Sequence, residues 1–277
     1  MTLVLSPRKA VEGVQDEVQV PIGALTRLAL VVEYSGGNYA GSQLQPGLPT
    51  IQSELEGALK QLTGKDIRIS LAGRTDAGVH AYGQVASFNT ASALSERAFV
   101  SGMNHFLPSD IAVKAAHRVG AAFDPRRHAL KREYEYFILN SNTRSAIWSG
   151  RAHRVPGDIN VAAMNQACQF LLGEHDFASF ASNMDDAEKT TVRHMYHASV
   201  RREGRMVIVK LVASAFLLHQ VRNTVGALLK VGQGKMTQLE FQGIITLCQF
   251  GLAGPTAPVC GLYLNSVDYG NNFEEGF

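Results

Sequence analysis

Apolar positions along this chain recur in two successive blocks, and both blocks predict the same order of helices and strands. In the first block, apolar residues three or four positions apart predict a helix, and alternating or continuous apolar runs around it predict strands. The predicted elements are a strand over 28–34, a helix over 50–62, strands over 67–72 and 84–88, a helix over 94–105 and a strand over 111–119. The order is β-α-β-β-α-β.

The second block repeats this order with one additional helix. It predicts a strand over 132–139, a helix over 160–172, strands over 191–200 and 206–213, helices over 217–231 and 239–250, and a last strand over 262–267. Two such split units placed side by side form one wide sheet. We therefore expect an α+β fold of two pseudo-symmetric β-α-β-β-α-β (RRM-like) halves, with a mostly antiparallel sheet, helices on one side and a central cleft.

The same pattern predicts how the chain is divided. A chain of 277 residues can form one large domain or two closely packed halves. We assign the first half to 25–125 and the second to 126–269. The stretches 1–24 and 270–277 lack sustained periodicity, so we expect a loosely ordered amino-terminal extension and a loosely ordered tail.

The charge balance bears on possible partners. The formal net charge is only +2, so binding to a nucleic acid would depend on local clusters of basic residues rather than on an overall positive field. Two such clusters occur, although clusters of this size are also common in solvated turns. They are Arg126, Arg127, His128, Lys131 and Arg132, and Arg201, Arg202 and Arg205.

Cellular location is predicted from three features. The amino terminus lacks a basic stretch followed by a long apolar core, and no uninterrupted apolar run is long enough to span a bilayer. Cys168, Cys248 and Cys260 are far apart and form no C-x-x-C pair, which is typical of a reducing compartment. We therefore expect a cytoplasmic protein with no membrane contact.

The stretch 72–81 contains the main candidate for chemistry. It places Asp76 and Arg74 among small residues after a predicted strand, and two glycines, Gly73 and Gly78, allow close approach of another molecule. Most loop aspartates cap a helix or form a turn, and that alternative applies here too. Neither role requires Arg74, so the pair indicates a site that receives a bulky ligand.

The predicted helix over 217–231 offers Asp76 a partner. Its inward stripe comprises Leu218, Arg222, Val225 and Leu229, which puts an arginine where an apolar residue is expected. A buried guanidinium needs a carboxylate, and we predict Asp76. The alternative is an arginine at the edge of the stripe whose long stem reaches water.

The strand over 132–139 carries two tyrosines on one face, Tyr134 and Tyr136. Either could stack on an unpaired base, although tyrosines on strands more often pack in the core. The spacing does not choose between them. His194 and His197 lie on opposite faces of their predicted strand, so a shared metal ion is not expected.

Four segments together resemble the tRNA pseudouridine synthase A family. They occur in the order of that family and span both halves of the chain. They are GRTDAGVHA at 73–81 followed by GQV at 83–85, KREYEY at 131–136, FLLHQVRNTVG at 216–226, and AP at 257–258 with GLYL at 261–264. One departure is Ser42, where the family usually carries tryptophan or another aromatic residue.

The resemblance implies a role for each candidate. Asp76 corresponds to the catalytic aspartate, Tyr134 to the tyrosine that contacts uridine, Arg74 to the arginine that displaces the base, and Arg222 to the arginine paired with the aspartate. It also implies isomerisation of uridine to pseudouridine at tRNA positions 38, 39 and 40 in the anticodon stem-loop, without a cofactor or metal, by a homodimer. The alternatives are a non-catalytic RNA-binding protein of the same fold and a nucleoside or base hydrolase.

Overall fold

A computed structural model describes residues 25–182 and 190–270. The predicted extension over 1–24 and most of the predicted tail lie outside these residues. The first half contains β1 (Thr26–Tyr34), α1 (Ile51–Thr63), β2 (Ser70–Leu71), β3 (His80–Thr90), α2 (Glu96–Phe106) and β4 (Ile111–Val119). The second contains β5 (Lys131–Asn140), β6 (His153–Val155), α3 (Val161–Cys168), β7 (Gly173–Asp176), β8 (Val192–Glu203), β9 (Met206–Ala213), α4 (Gln220–Gly232), α5 (Gln238–Leu247) and β10 (Leu262–Asp268).

The strands form one wide sheet in the order β4-β1-β3-β10-β5-β9-β8-β7, with β2 beside β3 and β6 beside β5. The sheet is antiparallel except where β10 meets β3 and β6 meets β5. Each half has the same internal order: β4-β1-β3-β2 in the first and β10-β5-β9-β8 in the second. The expected α+β fold of two similar halves is confirmed.

The helices cover one face of the sheet because the strands alternate in the side chains they present. In β1, Leu28 and Leu30 belong to the main core together with Leu55 and Leu59 of α1. Ala29, between the two leucines, belongs to a small cluster on the opposite face, which also includes Val85, Phe123 and Tyr269. This is the two-residue period of a strand between two different environments.

The helix ends follow local sequence signals. Thr50 caps α1 in a capping box with Ser53, and Gly64 ends the helix in the left-handed conformation. Thr237 and Glu240 form a second capping box at the start of α5. These contacts satisfy backbone groups that a helix end leaves unpaired.

The seam between the halves lies on one edge of β3. At one end of this edge, β10 pairs with His80 and Ala81 through only two residues. Further along, β2 pairs with Ala86 and Ser87. The chain that leaves β2 therefore crosses the opening between β2 and β10, where a Cβ atom at Gly73 would be in van der Waals contact with Leu264 and Tyr134. This opening is the central cleft.

Strand β2 is much shorter than the predicted 67–72. Part of the predicted strand forms hydrogen bonds with side chains of α1 instead of with a neighbouring strand. The backbone N–H of Ile69 donates to the carboxylate of Glu56 at 3.1 Å, and its carbonyl accepts from Gln52 at 3.4 Å. The buried backbone of Ile69 is therefore satisfied without a neighbouring strand. The two-residue period of apolar positions does not reveal where side chains take the place of a strand partner.

Helix α4 also differs from its prediction. It begins at Gln220, not at residue 217, and Leu218 lies outside it with 51% of its surface exposed. The inclusion of Leu218 in the buried stripe was wrong because the chain turns sharply at His219. Val225 and Leu229 are buried as expected.

Gly226 is expected to be essential for the position of α4. A Cβ atom at this residue would lie 1.9 Å from the carbonyl oxygen of Pro255, so alanine must push the helix and the loop apart. We expect Gly226→Ala to lower the free energy of unfolding by about 1–3 kcal/mol, as overpacking does elsewhere. Chemical denaturation measures this loss.

Gly243 in α5 provides the matched control because a Cβ atom there would meet nothing within 4 Å. Gly243→Ala should raise the free energy of unfolding by about 0.5–1 kcal/mol, the usual gain from replacing a helical glycine. Equal effects of the two variants would show that the contact with Pro255 is unimportant.

Candidate active site

Asp76 and Arg222, which are far apart in sequence, meet across the central cleft. Nη1 of Arg222 lies 3.4 Å from Oδ2 of Asp76. A second hydrogen bond holds the guanidinium in place, because its Nε donates to the carbonyl of Ala257 at 2.8 Å. The Arg222 side chain is 15% exposed and the Asp76 side chain 35%, so the pair lines a wall of the cleft and Asp76 faces its interior.

The loop that carries Asp76 is held on both sides of that residue. The backbone N–H of Thr75 donates to Oγ of Ser42 at 2.8 Å, and the backbone N–H of Ser42 donates to the carbonyl of Thr75 at 3.0 Å. The hydroxyl groups of Thr75 and Tyr34 share a hydrogen bond of 2.8 Å. On the other side, the N–H of Val79 donates to the carbonyl of Asp76 at 3.1 Å. The carboxylate therefore projects from an ordered backbone.

The two candidate tyrosines have different surroundings. Tyr134 is buried, lines the same cavity as Asp76, and packs edge-on against Phe216 with ring centroids 5.1 Å apart. Tyr136 is completely buried and donates its hydroxyl hydrogen to the carbonyl of Pro258 at 2.7 Å. Only Tyr134 is therefore placed to meet a ligand. Burial raises its pKa above the usual value, so the phenol stays neutral at physiological pH.

Arg74 lines the cavity and is exposed. Among the described residues it has no hydrogen-bond or ion-pair partner, whereas Arg222 has both. A guanidinium that is unpaired and exposed in a cleft is available to a ligand with a polar or anionic surface.

The two basic clusters differ in their position relative to the cavity. Arg126 and Arg132 of the first cluster line the cavity. In the second cluster, Arg201 donates hydrogen bonds to the carboxylates of Glu135 and Glu203. Arg202 donates to the side chain of Asn140 and to the carbonyl of Ile159. The first cluster is therefore the part of the basic surface that adjoins the site.

His219 also belongs to the site, and the sequence reasoning did not identify it. Its Nε2 atom lies 3.4 Å from Oδ2 of Asp76, and its Nδ1 atom lies 2.7 Å from Oγ of Ser182. The available signal was its position three residues before Arg222, which places two side chains on one side of a helix start.

The site lies in a cavity of about 450 Å³ lined by residues of both halves. No group of three or more histidine, cysteine or acidic side chains that could hold a metal ion occurs within 25–182 and 190–270. Over the same ranges, no helix is both long and apolar enough to cross a membrane. The chemistry of the site consists of one carboxylate, cationic and imidazole groups around it, and an aromatic wall.

Comparison with known proteins gives the family to which the chain belongs. A family model described as "tRNA pseudouridine synthase" matches residues 30–126 and 167–270, which include Arg74, Asp76 and Arg222, whereas Tyr134 lies between the two matched ranges. The chain belongs to this family. Its curated relatives carry a narrower name, tRNA pseudouridine synthase A.

The similarity to these relatives extends over most of the chain. The protein from Geotalea daltonii is 41% identical over 88% of this chain and 100% of its own length. The protein from Geobacter sulfurreducens is 41% identical over 87% and 99%, and that from Aeromonas hydrophila is 42% identical over 88% and 90%. A solved archaeal box H/ACA sRNP Nop10-Cbf5 complex aligns with 73% of the chain at 14% identity and a TM-score of 0.33, which is too low to support an argument.

Membership of the family decides among the three activities considered from the sequence. The protein is an isomerase that converts uridine to pseudouridine in tRNA. The alternatives of a non-catalytic RNA-binding protein and of a base hydrolase are therefore set aside.

Proposed function

We propose that Asp76 is the catalytic residue and that Arg222, Tyr134 and Arg74 bind or position the target uridine. The observation that carries the proposal is the Asp76–Arg222 ion pair, which stands in a cleft beside a buried aromatic ring. Oδ2 of Asp76 is engaged, whereas Oδ1 has no hydrogen-bond partner among the described residues. One carboxylate oxygen is thus held in place and the other faces the substrate.

The reaction needs few groups. The bond between C1′ of the ribose and N1 of uracil breaks, the base turns, a bond forms between C1′ and C5, and the hydrogen on C5 is lost while N1 gains one. A carboxylate can assist by attacking C1′ or by removing the proton on the neighbouring C2′. Both routes require an ionised Asp76 close to the sugar, and Arg222 stabilises that form through its charge.

The target nucleotide must leave its stack before it reaches Asp76. Unstacking costs a few kcal/mol, which contacts in the pocket offset. Tyr134 offers a ring for stacking on the extruded base, and the exposed guanidinium of Arg74 can occupy the gap left in the RNA. Arg126 at the cavity rim is available to a phosphate of the backbone.

The substrate we propose is the anticodon stem-loop of tRNA, with uridines at positions 38, 39 and 40 as targets. Resemblance of the four motifs to the A family supports this assignment. The test uses three tRNA transcripts, each with uridine at only one of the three positions, and maps pseudouridine by carbodiimide labelling and primer extension. Product at all three positions is expected. Modification confined to uridines outside the anticodon arm would contradict the proposal.

Tyr134 is expected to contribute through its ring rather than its hydroxyl group. Tyr134→Phe keeps the edge contact with Phe216 and a stacking surface, so kcat should fall by less than about tenfold, the cost of one hydrogen bond. Tyr134→Leu removes the ring, and stacking worth about 1–3 kcal/mol corresponds to a loss of about 5-fold to 150-fold. Single-turnover rates with excess enzyme measure both effects. Equal losses in the two variants would assign the role to the hydroxyl group.

We further propose a homodimer that works in the cytoplasm. Leu247, Phe250 and Leu252 are exposed within six residues of one another at the end of α5, and such apolar surface often marks an interface. The cysteines form no disulfide, as suits a reducing compartment. Light scattering after size-exclusion chromatography tests the dimer, and a mass of one chain at micromolar concentration would contradict it.

A further inference from the structure

We infer that His219 is a positioning residue for Asp76 and that Ser182 sets the direction of hydrogen bonding through its imidazole ring. The inference rests on the proposed function, because it assumes that Asp76 carries the chemistry. It concerns two residues that lie outside the set of site residues predicted from the sequence. Three independent features of the structure support it.

The first feature is the geometry around one carboxylate oxygen. Nε2 of His219 and Nη1 of Arg222 each lie 3.4 Å from Oδ2 of Asp76. The guanidinium donates a hydrogen bond to this oxygen and the imidazole lies in contact with it, and two contacts restrict rotation of the carboxylate more than one can. They also leave Oδ1 as the oxygen that meets the ribose.

The second feature is the contact on the far side of the ring. Oγ of Ser182 lies 2.7 Å from Nδ1 of His219. An ionised carboxylate only accepts hydrogen bonds, so a hydrogen bond from His219 to Asp76 requires the hydrogen on Nε2. In a neutral imidazole Nδ1 is then an acceptor, and the hydroxyl hydrogen of Ser182 satisfies it. A hydroxyl group can donate as well as accept, so Ser182 completes the hydrogen bonding of the tautomer in which Nε2 can donate to Asp76.

The third feature is the backbone of His219. Its φ angle is +62°, in the left-handed region that residues other than glycine seldom adopt. A conformation of this kind persists where surrounding contacts require it, and it is common at functional sites. Here the N–H of Ser182 donates to the carbonyl of Leu218 at 3.1 Å, and the carbonyl of His219 accepts from Asn223 at 2.9 Å. Ser182 thus binds both the backbone and the ring at this corner.

The deletion variant for the test is His219→Gly. Glycine adopts a positive φ without strain, so the substitution removes the ring and leaves the turn into α4 compatible with the fold. If His219 donates to Asp76 in the reaction as inferred, kcat in the tritium-release assay should fall by about tenfold to a hundredfold, the range for a hydrogen bond to a charged group. KM for tRNA should stay within about twofold. Thermal unfolding of His219→Gly beside the wild-type protein is the control for loss of the fold.

Two further variants separate positioning from a structural role. His219→Gln places an amide donor near the position of Nε2 and should recover part of the lost kcat. Ser182→Ala should reduce kcat in the wild-type background and have almost no effect in the His219→Gly background, because the hydroxyl acts only through the ring.

The outcomes are distinct. Unchanged kcat in both His219→Gly and Ser182→Ala, or a rise in KM with kcat unchanged, would overturn the inference and assign His219 to structure or RNA binding. Additive losses for Ser182 and His219 would overturn the role of Ser182. If Asp76→Asn remained active, the proposed function itself would fail, whereas an inactive Asp76→Asn with a fully active His219→Gly would refute only this inference.

Discussion

Replacing Asp76 by asparagine is expected to abolish pseudouridine formation while the protein still folds and binds tRNA. Asparagine has nearly the same shape, so the hydrogen bonds that hold Thr75 to Ser42 and Tyr34 need not change. It lacks the negative charge that either chemical route requires. We expect kcat to fall by roughly 10³-fold or more. Loss of a general acid or base typically costs about 10²-fold to 10⁴-fold. Release of tritium from tRNA labelled at C5 of uridine measures the loss.

A matched variant tests whether charge alone is sufficient. Asp76→Glu keeps the carboxylate but moves it by one methylene group relative to Arg222 and the sugar. Misplacement of about 1 Å can cost about 10²-fold, so the glutamate variant should also be severely impaired. Filter binding to tRNA and thermal unfolding serve as controls for both variants. Turnover by Asp76→Asn above about a tenth of the wild-type rate would contradict the assignment of Asp76.

Loss of the Arg222 charge is expected to have the second-largest effect. Arg222→Met keeps an apolar stem on α4 but removes the contacts with Asp76 and with the carbonyl of Ala257. Hydrogen bonds to charged groups are worth about 1.5–3 kcal/mol, so kcat should fall by about 10-fold to 150-fold. Single-turnover kinetics at saturating enzyme separate this effect from a change in tRNA affinity.

Two comparisons sharpen the experiment on Arg222. Arg222→Lys keeps the charge, but an ammonium group cannot reproduce the planar fork that contacts Asp76 and Ala257 together, so we expect an intermediate loss. Arg205→Met removes an equal charge from the exposed end of the β8–β9 hairpin and should leave kcat unchanged. Equal effects of Arg222→Met and Arg205→Met would mean that Arg222 acts only through net charge.

The pattern of apolar and polar residues predicted most of the helices and strands, because most of them face an apolar environment on one side and a polar one on the other. The bounds of β4 and β9 coincide with the predicted ranges, and α1 differs from its prediction by one residue at each end. The errors occur where a distant group replaces a local contact. Strand β2 is short because Glu56 and Gln52 bind its backbone, and the start of α4 is displaced because the chain turns at His219.

Ser42 illustrates a departure whose meaning required the structure. The sequence shows only that a small residue replaces the usual aromatic one. In the structure its side chain is fully buried, and its hydroxyl group accepts from the backbone N–H of Thr75, next to Asp76. The departure thus corresponds to a specific contact that holds the residue preceding Asp76.

The sequence by itself determined the order of the elements, the family, and the charged groups of the site, because these depend on residue types and on their spacing. The tertiary structure decided which tyrosine faces the cavity, since Tyr134 and Tyr136 share one face of β5 but only Tyr134 is among the residues that line it. It also brought His219 to Asp76 and Ser182 to His219, two contacts that the sequence did not predict. Such contacts arise from the closure of two halves around a cleft, which no local period encodes.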